Sequence, residues 1–177
     1  MIIALTGKKR CGKTSVANAL CERASTAGTF TKINFKSALL KQAKEHFPDF
    51  LAAEATVTGV SVEQLLEDKP RSIRQFLQNY GTDLFRTQDK DYWTNKWRDS
   101  VIGYSNIVVD DLRFLNEAQA VKDLGGTIIR IVRPSLGEQG DTHASEVEMD
   151  AIQPDYTITS DDIETVISEV KRVLNLA

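Results

Sequence analysis

The chain has 177 residues, 41% hydrophobic and 27% charged, with a net charge of −3. That size suits one domain, or one core with insertions, able to bury most of its apolar surface without metal or disulfide staples. The acidic balance gives no global attraction to nucleic acid or an anionic membrane, so a polyphosphate site must be made by local positive potential. Two cysteines, Cys11 and Cys21, are too few for a disulfide framework and fit a reduced compartment. No run approaches about 18 consecutive apolar residues and the first residues carry no leader pattern. No membrane partner is expected, and the expected location is the cytoplasm.

Residues 2–6 (IIALT) read as a strand buried on both faces, ending at Gly7. From Lys13 to about Ala24 the spacing of Val16, Ala17, Leu20 and Ala24 predicts a helix. Residues 29–35 read as a second strand, and 36–47 as an amphipathic helix stopped by Pro48. Residues 48–59 carry no clear signal. Ser61-Val-Glu-Gln64 has the spacing of a capping box and opens a short helix to about Glu67. Pro70 at a first helical position opens the next, through Arg86, with a turn at Gly81-Thr82-Asp83. Residues 92–101 read as helical, with Trp93 and Trp97 read as core packing of the insertion ahead of stacking on a base. NIVVDD (106–111) is a central strand, 113–126 a helix ended by glycine, and 127–133 a further strand ended by Pro134. Residues 135–146 form a polar loop, 155–159 a last strand, and Asp161 caps a final helix with one apolar stripe. Strands alternating with helices predict an α/β fold, a parallel sheet covered on both faces. The stretch 36–105 exceeds what one crossover helix needs and is read as a helical insertion.

Gly7-Lys8-Lys9-Arg10-Cys11-Gly12-Lys13-Thr14 matches G-x-x-x-x-G-K-[ST] in full, with a strand before it and a helix after. The glycines let the backbone curl so that its N–H groups face an anion, and the helix points its positive end at the same place. Lys13 reaches the β/γ-phosphates and the Thr14 hydroxyl suits Mg²⁺. Lys8, Lys9 and Arg10 add positive charge, Cys11 is a small residue that fits the loop, and Ser15 follows it. Asp110 and Asp111 end an apolar strand at the sheet edge where ligands bind in open α/β folds. They alternate in direction, so one of the two faces the phosphates.

In PRSIRQFLQNYGTDLFR, Arg71, Arg74 and Gln78 fall on one helix face. Arg71 and Arg74 sit in the first turns, where the helix dipole disfavours cations unless an anion is held between them and the helix end. Arg86 and Arg113 can add further guanidinium groups.

These residues carry a resemblance. LTGKKRCGKTS, RSIRQFLQNYGTDLFR, DLRFLNEAQAVKDLGGTIIRIVRP and HASE resemble, in that order, the bacteriophage-type deoxynucleoside monophosphate kinases of the P-loop kinase superfamily. The pairing of Leu-Gln-x-x-Gly-Thr-Asp-x-x-Arg with Asp-x-Arg-Phe-x-Asn-Glu is the specific part. The resemblance implies ATP as phosphoryl donor with Mg²⁺, a deoxynucleoside monophosphate as acceptor, and a role in dNTP supply. It implies a three-layer fold with a five-stranded parallel sheet in a single domain: a core of about 1–35, 103–133 and 147–177, an acceptor-binding insertion of about 36–102, and a lid of about 134–146. Carried over by position, Gly7, Lys8, Arg10, Cys11, Gly12, Lys13, Thr14 and Ser15 hold ATP, with metal at Thr14 and Asp111. Arg71, Arg74, Gln78, Arg86 and Arg113 hold the acceptor. Phe35 and Lys36 border its cleft, and Asp110 shares with Asp111 a role the resemblance does not divide. The lid carries no arginine between Ser135 and Glu146, so Arg133, Arg130 or an insertion arginine serves the transferring group. His143 and Glu146 contact nucleotide or fix the loop. Partners are small molecules, without nucleic acid, and a homodimer stays open.

Two other readings compete. One is a P-loop kinase with a different small anionic acceptor, such as a coenzyme precursor or phosphomevalonate. The other is a non-enzymatic nucleotide sensor, weakened in its GTP form because no Asn-Lys-x-Asp motif is present.

Overall fold

A computed structural model describes residues 1–22, 28–137 and 144–176, with side chains described for all of these except 82–83 and 144–147. The chain divides into two compact units, one of Met1–Phe35 and Arg98–Ala177, the other of Lys36–Trp97.

The first unit is built on a five-stranded parallel sheet: β1 (Ile2–Thr6), β2 (Thr31–Lys32), β3 (Ile107–Val109), β4 (Thr127–Val132) and β5 (Tyr156–Thr159), in the order β2-β3-β1-β4-β5. β1 is central and fully paired, with Ala4 opposite both Val109 and Ile128. Alternation sorts the strand residues into two rows. Ile3, Leu5, Val108, Ile129 and Ile131 pack with α1 (Lys13–Glu22) and α9 (Ile163–Val173). The opposite row lies under α7 (Leu115–Asp123), α8 (Ala144–Ala151) following it in the chain. With both faces covered, the central strands need apolar residues in both rows, hence the unbroken runs IIAL and IVV.

The second unit is helical: α2 (Phe35–His46), α3 (Pro48–Thr58), α4 (Val62–Asp68), α5 (Arg71–Gln78), a π-wound continuation at Asn79–Arg86, and α6 (Tyr92–Ser100), the first and last joining it to the sheet unit. Its core joins Leu51, Leu65, Ile73, Leu77, Tyr80 and Trp93. The Ser61 hydroxyl accepts the Gln64 N–H at 3.1 Å, as the capping motif predicts.

Several local expectations differ from the structure. Residues 48–59 form α3, opened by Pro48 in its first turn and closed by Gly59 at φ 71°. Pro70 is the cap of α5, not its first helical residue. Gly81-Thr82-Asp83 lies inside the π-wound stretch and makes no turn. Asp162, not Asp161, caps α9 by accepting the Thr165 N–H at 2.8 Å. Asp161 instead accepts the Ser135 N–H at 2.8 Å, because the chain leaving β4 passes within its reach. Helical character after β4 starts sooner than a polar loop implies, with a 3₁₀ turn at Pro134–Leu136. Among the described residues, no helix is long and apolar enough to cross a membrane.

Candidate active site

The loop between β1 and α1 has the backbone its sequence requires. Gly7 has φ 134° and Gly12 φ 105°. A Cβ on Gly7 would lie 2.3 Å from the Ile131 carbonyl oxygen on β4, and one on Gly12 2.7 Å from Ile163. Both glycines are therefore fixed by sign of φ and by close approach. Arg10 also takes a left-handed φ of 67°. The Lys13 ammonium donates to the carbonyls of Gly7 and Lys8, the latter at 2.9 Å, with the buried Cys11 thiol 3.7 Å away. That puts its charge inside the loop. α1 has no acidic residue in its first turn, so nothing there cancels the positive end of the helix. Thr14 and Ser15 are exposed at that end and Lys8 is partly so.

At the end of β3 the two aspartates take different partners. Asn34 Nδ2 donates to Asp110 Oδ1 at 2.7 Å, and Asn34 Oδ1 accepts the Asp110 N–H at 3.0 Å. Both residues are 5% exposed. Asp111 Oδ1 accepts the Phe35 N–H, the first amide of α2, at 3.1 Å. The segment leaving β2 is thus buckled to the end of β3 by three hydrogen bonds. Burial pushes the Cys21 thiol on α1 up against the lowering influence of Lys32, and Asp110 adds a little to the rise. Asn34 is a site residue that sequence reasoning passed over, because it read only as part of a strand. Glu117 is another. It is buried, and its Oε2 accepts the N–H groups of Arg113 at 3.0 Å and Phe114 at 3.2 Å, shaping the turn that presents Arg113. Its position three residues after the helix cap was the available signal.

Within β4, Arg130 donates to the carbonyls of Met149 (2.8 Å), Asp150 (3.3 Å) and Ile152 (2.8 Å). It is a clamp on the last turn of α8 and is committed there. Arg133 is more open, with Nε 3.9 Å from Asp161 Oδ1. A cavity of about 390 Å³ runs beside the phosphate loop, lined among others by Gly7, Lys8, Cys11, Val132, Arg133 and Leu136. His143 lies outside the described residues, as does the side chain of Glu146.

In the second unit, Arg71, Arg74 and Gln78 are exposed on α5, and among the described residues none of the three has a hydrogen-bond or ion-pair partner. The residues between them are engaged: Ser72 donates to Glu54 at 2.7 Å and Gln75 to Asn79 at 3.1 Å. α5 has no acidic residue of its own in its first turn, so two guanidinium groups and a helix N-terminus share that end, with the Glu54 carboxylate reaching the turn at Ser72. Arg86 is partly buried and closes the π-wound stretch. Phe35 is buried and Lys36 exposed. Trp93 and Trp97 are buried, 3% and 0% exposed, which removes them from base stacking. Nδ1 of His46 is hydrogen-bonded to the Tyr80 hydroxyl at 2.8 Å, and among the described residues no group of three His, Cys, Asp or Glu is placed to hold a metal ion.

A family model described as deoxynucleotide monophosphate kinase matches residues 29–170. A putative deoxynucleotide monophosphate kinase of Acanthamoeba polyphaga mimivirus is 32% identical over 170 residues, covering 86% of this chain and 84% of that protein. The deoxynucleotide monophosphate kinase of Enterobacteria phage T4 is 31% identical over 112 residues, covering 59% of this chain and 46% of that protein. Among solved structures, shikimate kinase from Aquifex aeolicus aligns over 99% of this chain and 96% of that one, with a TM-score of 0.53 at 17% identity, a likeness of fold.

Proposed function

Since the chain belongs to the deoxynucleotide monophosphate kinase family, a family of ATP-dependent phosphotransferases, we propose that it transfers the γ-phosphoryl group of ATP to a deoxynucleoside monophosphate. An oxygen of the acceptor phosphate attacks the γ-phosphorus, the bond to the β-phosphate oxygen breaks, and ADP and a deoxynucleoside diphosphate leave. The observation that carries this reading is the complete phosphate loop with the Lys13 ammonium inside it, in a chain matched along 29–170 by that family. Neither a different acceptor class nor a non-catalytic sensor gains support from the relatives.

The proposed roles follow from charge and exposure. Gly7 and Gly12 allow the loop amides to converge on the donor phosphates, with Lys8, Arg10, Cys11 and Ser15 around them and Lys13 moving its ammonium from carbonyl oxygens to phosphate oxygens. Hard oxygen donors at Thr14 and the Asp110–Asp111 pair suit Mg²⁺, which when bound would neutralise charge on the donor phosphates. Arg113 and Arg133 remain candidates for charge on the transferring group. Arg71, Arg74, Gln78 and Arg86 are assigned to the acceptor monophosphate. The acceptor oxygen is already anionic near neutral pH, so no strong general base is needed.

The test is ADP release from ATP and Mg²⁺ with each dNMP and NMP added separately. Stimulation by one or more dNMPs, abolished by Lys13→Ala, is the expected result. Tight ATP binding without stimulation by any monophosphate would refute the acceptor class. Arg74→Ala is expected to raise the acceptor KM about tenfold or more, the loss of one charge-assisted hydrogen bond, with little change in the KM for ATP.

A further inference from the structure

The stretch Asn79–Arg86 continues α5 without a break, but as a π-helix of eight residues, a length of π winding that is rare and tends to occur where function requires it. Its effect is angular. An α-helix turns about 100° per residue, whereas i→i+5 bonding gives about 4.4 residues per turn, or about 82° per residue. Taking Arg74 as zero, Arg71 lies at about +60° and Gln78 at about +40°, while the core residue Ile73 lies at about −100°. Carried on with π winding, Phe85 falls at about −105° and Arg86 at about −25°. Continued as an α-helix, Phe85 would fall at about +20°, on the arginine face, and Arg86 at about +120°, off it.

Independent contacts agree with the π-wound placement. The Phe85 ring lies 5.2 Å from Tyr80, 5.4 Å from Trp93 and 4.6 Å from Tyr92, on the core side with Ile73. The winding is held at its inner edge. Trp93 Nε1–H donates to the Gly81 carbonyl at 2.8 Å, and a Cβ on Gly81 would come within 3.1 Å of Leu39 Cδ2. The stretch is therefore pressed against α2 and tied to α6 at one residue.

We infer that the π-wound stretch is a register device that puts Arg86 on the anion-binding face of Arg71, Arg74 and Gln78, with Gly81 and Trp93 as positioning residues that act through Arg86. This rests on the proposed assignment of that face to the acceptor monophosphate. Arg86 brings its charge to the face from the far end of a 16-residue run, Arg71–Arg86. That gives the face the length to engage a nucleotide's phosphate and sugar rather than a phosphate alone.

The experiment is steady-state kinetics on the full chain, using the best dNMP from the substrate screen, with Trp93→Phe, Arg86→Ala and the double variant, and a thermal melt for each. Trp93→Phe keeps an aromatic ring in the core and removes the indole N–H, with some loss of volume that the thermal melt reads. Expected are a rise in acceptor KM of about tenfold for Arg86→Ala, a rise of about threefold or more for Trp93→Phe with the KM for ATP unchanged, and no further rise from Trp93→Phe once Arg86 is gone. Gly81→Ala, which presses the stretch off Leu39, should move acceptor KM the same way and serves if Trp93→Phe does not fold. If Arg86→Ala raises acceptor KM while Trp93→Phe and Gly81→Ala only lower Tm, the register inference is overturned and the acceptor assignment stands. If neither Arg86→Ala nor Arg74→Ala affects acceptor KM, the assignment itself falls and the inference with it.

Discussion

Asn34→Ala is expected to destabilise the first unit well beyond the norm for a small polar residue. The Asn34 side chain makes one charge-assisted hydrogen bond to Asp110 Oδ1 at 2.7 Å and accepts the Asp110 N–H at 3.0 Å, both residues being 5% exposed. The first bond is worth about 1.5–3 kcal/mol and the second about 0.5–1.5 kcal/mol, a loss of about 2–4.5 kcal/mol. Total stability for a domain of this size is of order 5–15 kcal/mol, so the variant sits close to its folding limit. The assay is urea unfolding followed by far-UV circular dichroism for the wild type, Asn34→Ala, Asp110→Ala and the double variant. The single Asn34→Ala leaves a buried carboxylate without its donor, so the double variant should be no less stable than Asn34→Ala alone, with a coupling of at least about 1 kcal/mol. An Asn34→Ala effect under about 0.5 kcal/mol, or strictly additive losses, would refute the claim that this pair fixes the end of β3.

Other outcomes follow from single geometries. Gly7→Ala places a Cβ 2.3 Å from the Ile131 carbonyl at φ 134°, so ATP binding by equilibrium dialysis should be lost and Tm lowered. Arg130→Met removes the donor shared by three carbonyls at the C-terminal end of α8 and should cost about 1–3 kcal/mol in urea unfolding, with hydrogen exchange accelerating first in α8. Asp155→Asn tests a pH dependence. Burial pushes the Asp155 carboxyl up, but the Lys122 ammonium at 2.5 Å and the Ile128 N–H at 2.7 Å outweigh it and leave its pKa lowered. A depressed folded pKa contributes stability that is fully present above the unfolded value of about 3.9 and lost as pH falls through the folded value. The Tm gap between wild type and Asp155→Asn should therefore be open at neutral pH and close in strong acid, and a gap constant to pH 2 would remove the ion pair from the account.

The sequence by itself determined the order of the five strands, the phosphate loop and its glycines, and the helix face of Arg71, Arg74 and Gln78. Each rests on near neighbours along the chain: an apolar run, a fixed spacing, a period of 3.6 residues. The stretch 48–59 was illegible because α3 has a buried side only at Leu51 and Ala55, too few apolar positions on one face to declare a period. Only tertiary structure decided the rest. Asn34 meets Asp110 across 76 positions of sequence, and no local pattern marks an asparagine as the partner of a distant carboxylate. Arg130 looks like a strand arginine free for chemistry until α8 returns its carbonyl ends to it. The π winding of Asn79–Arg86 was equally hidden. Gly81-Thr82-Asp83 has the composition of a turn, and the stretch is held in its helix by Leu39 and Trp93, which reach it from other helices. Side-chain partners distant in sequence set the direction of a charge, and they exist only once the chain has folded.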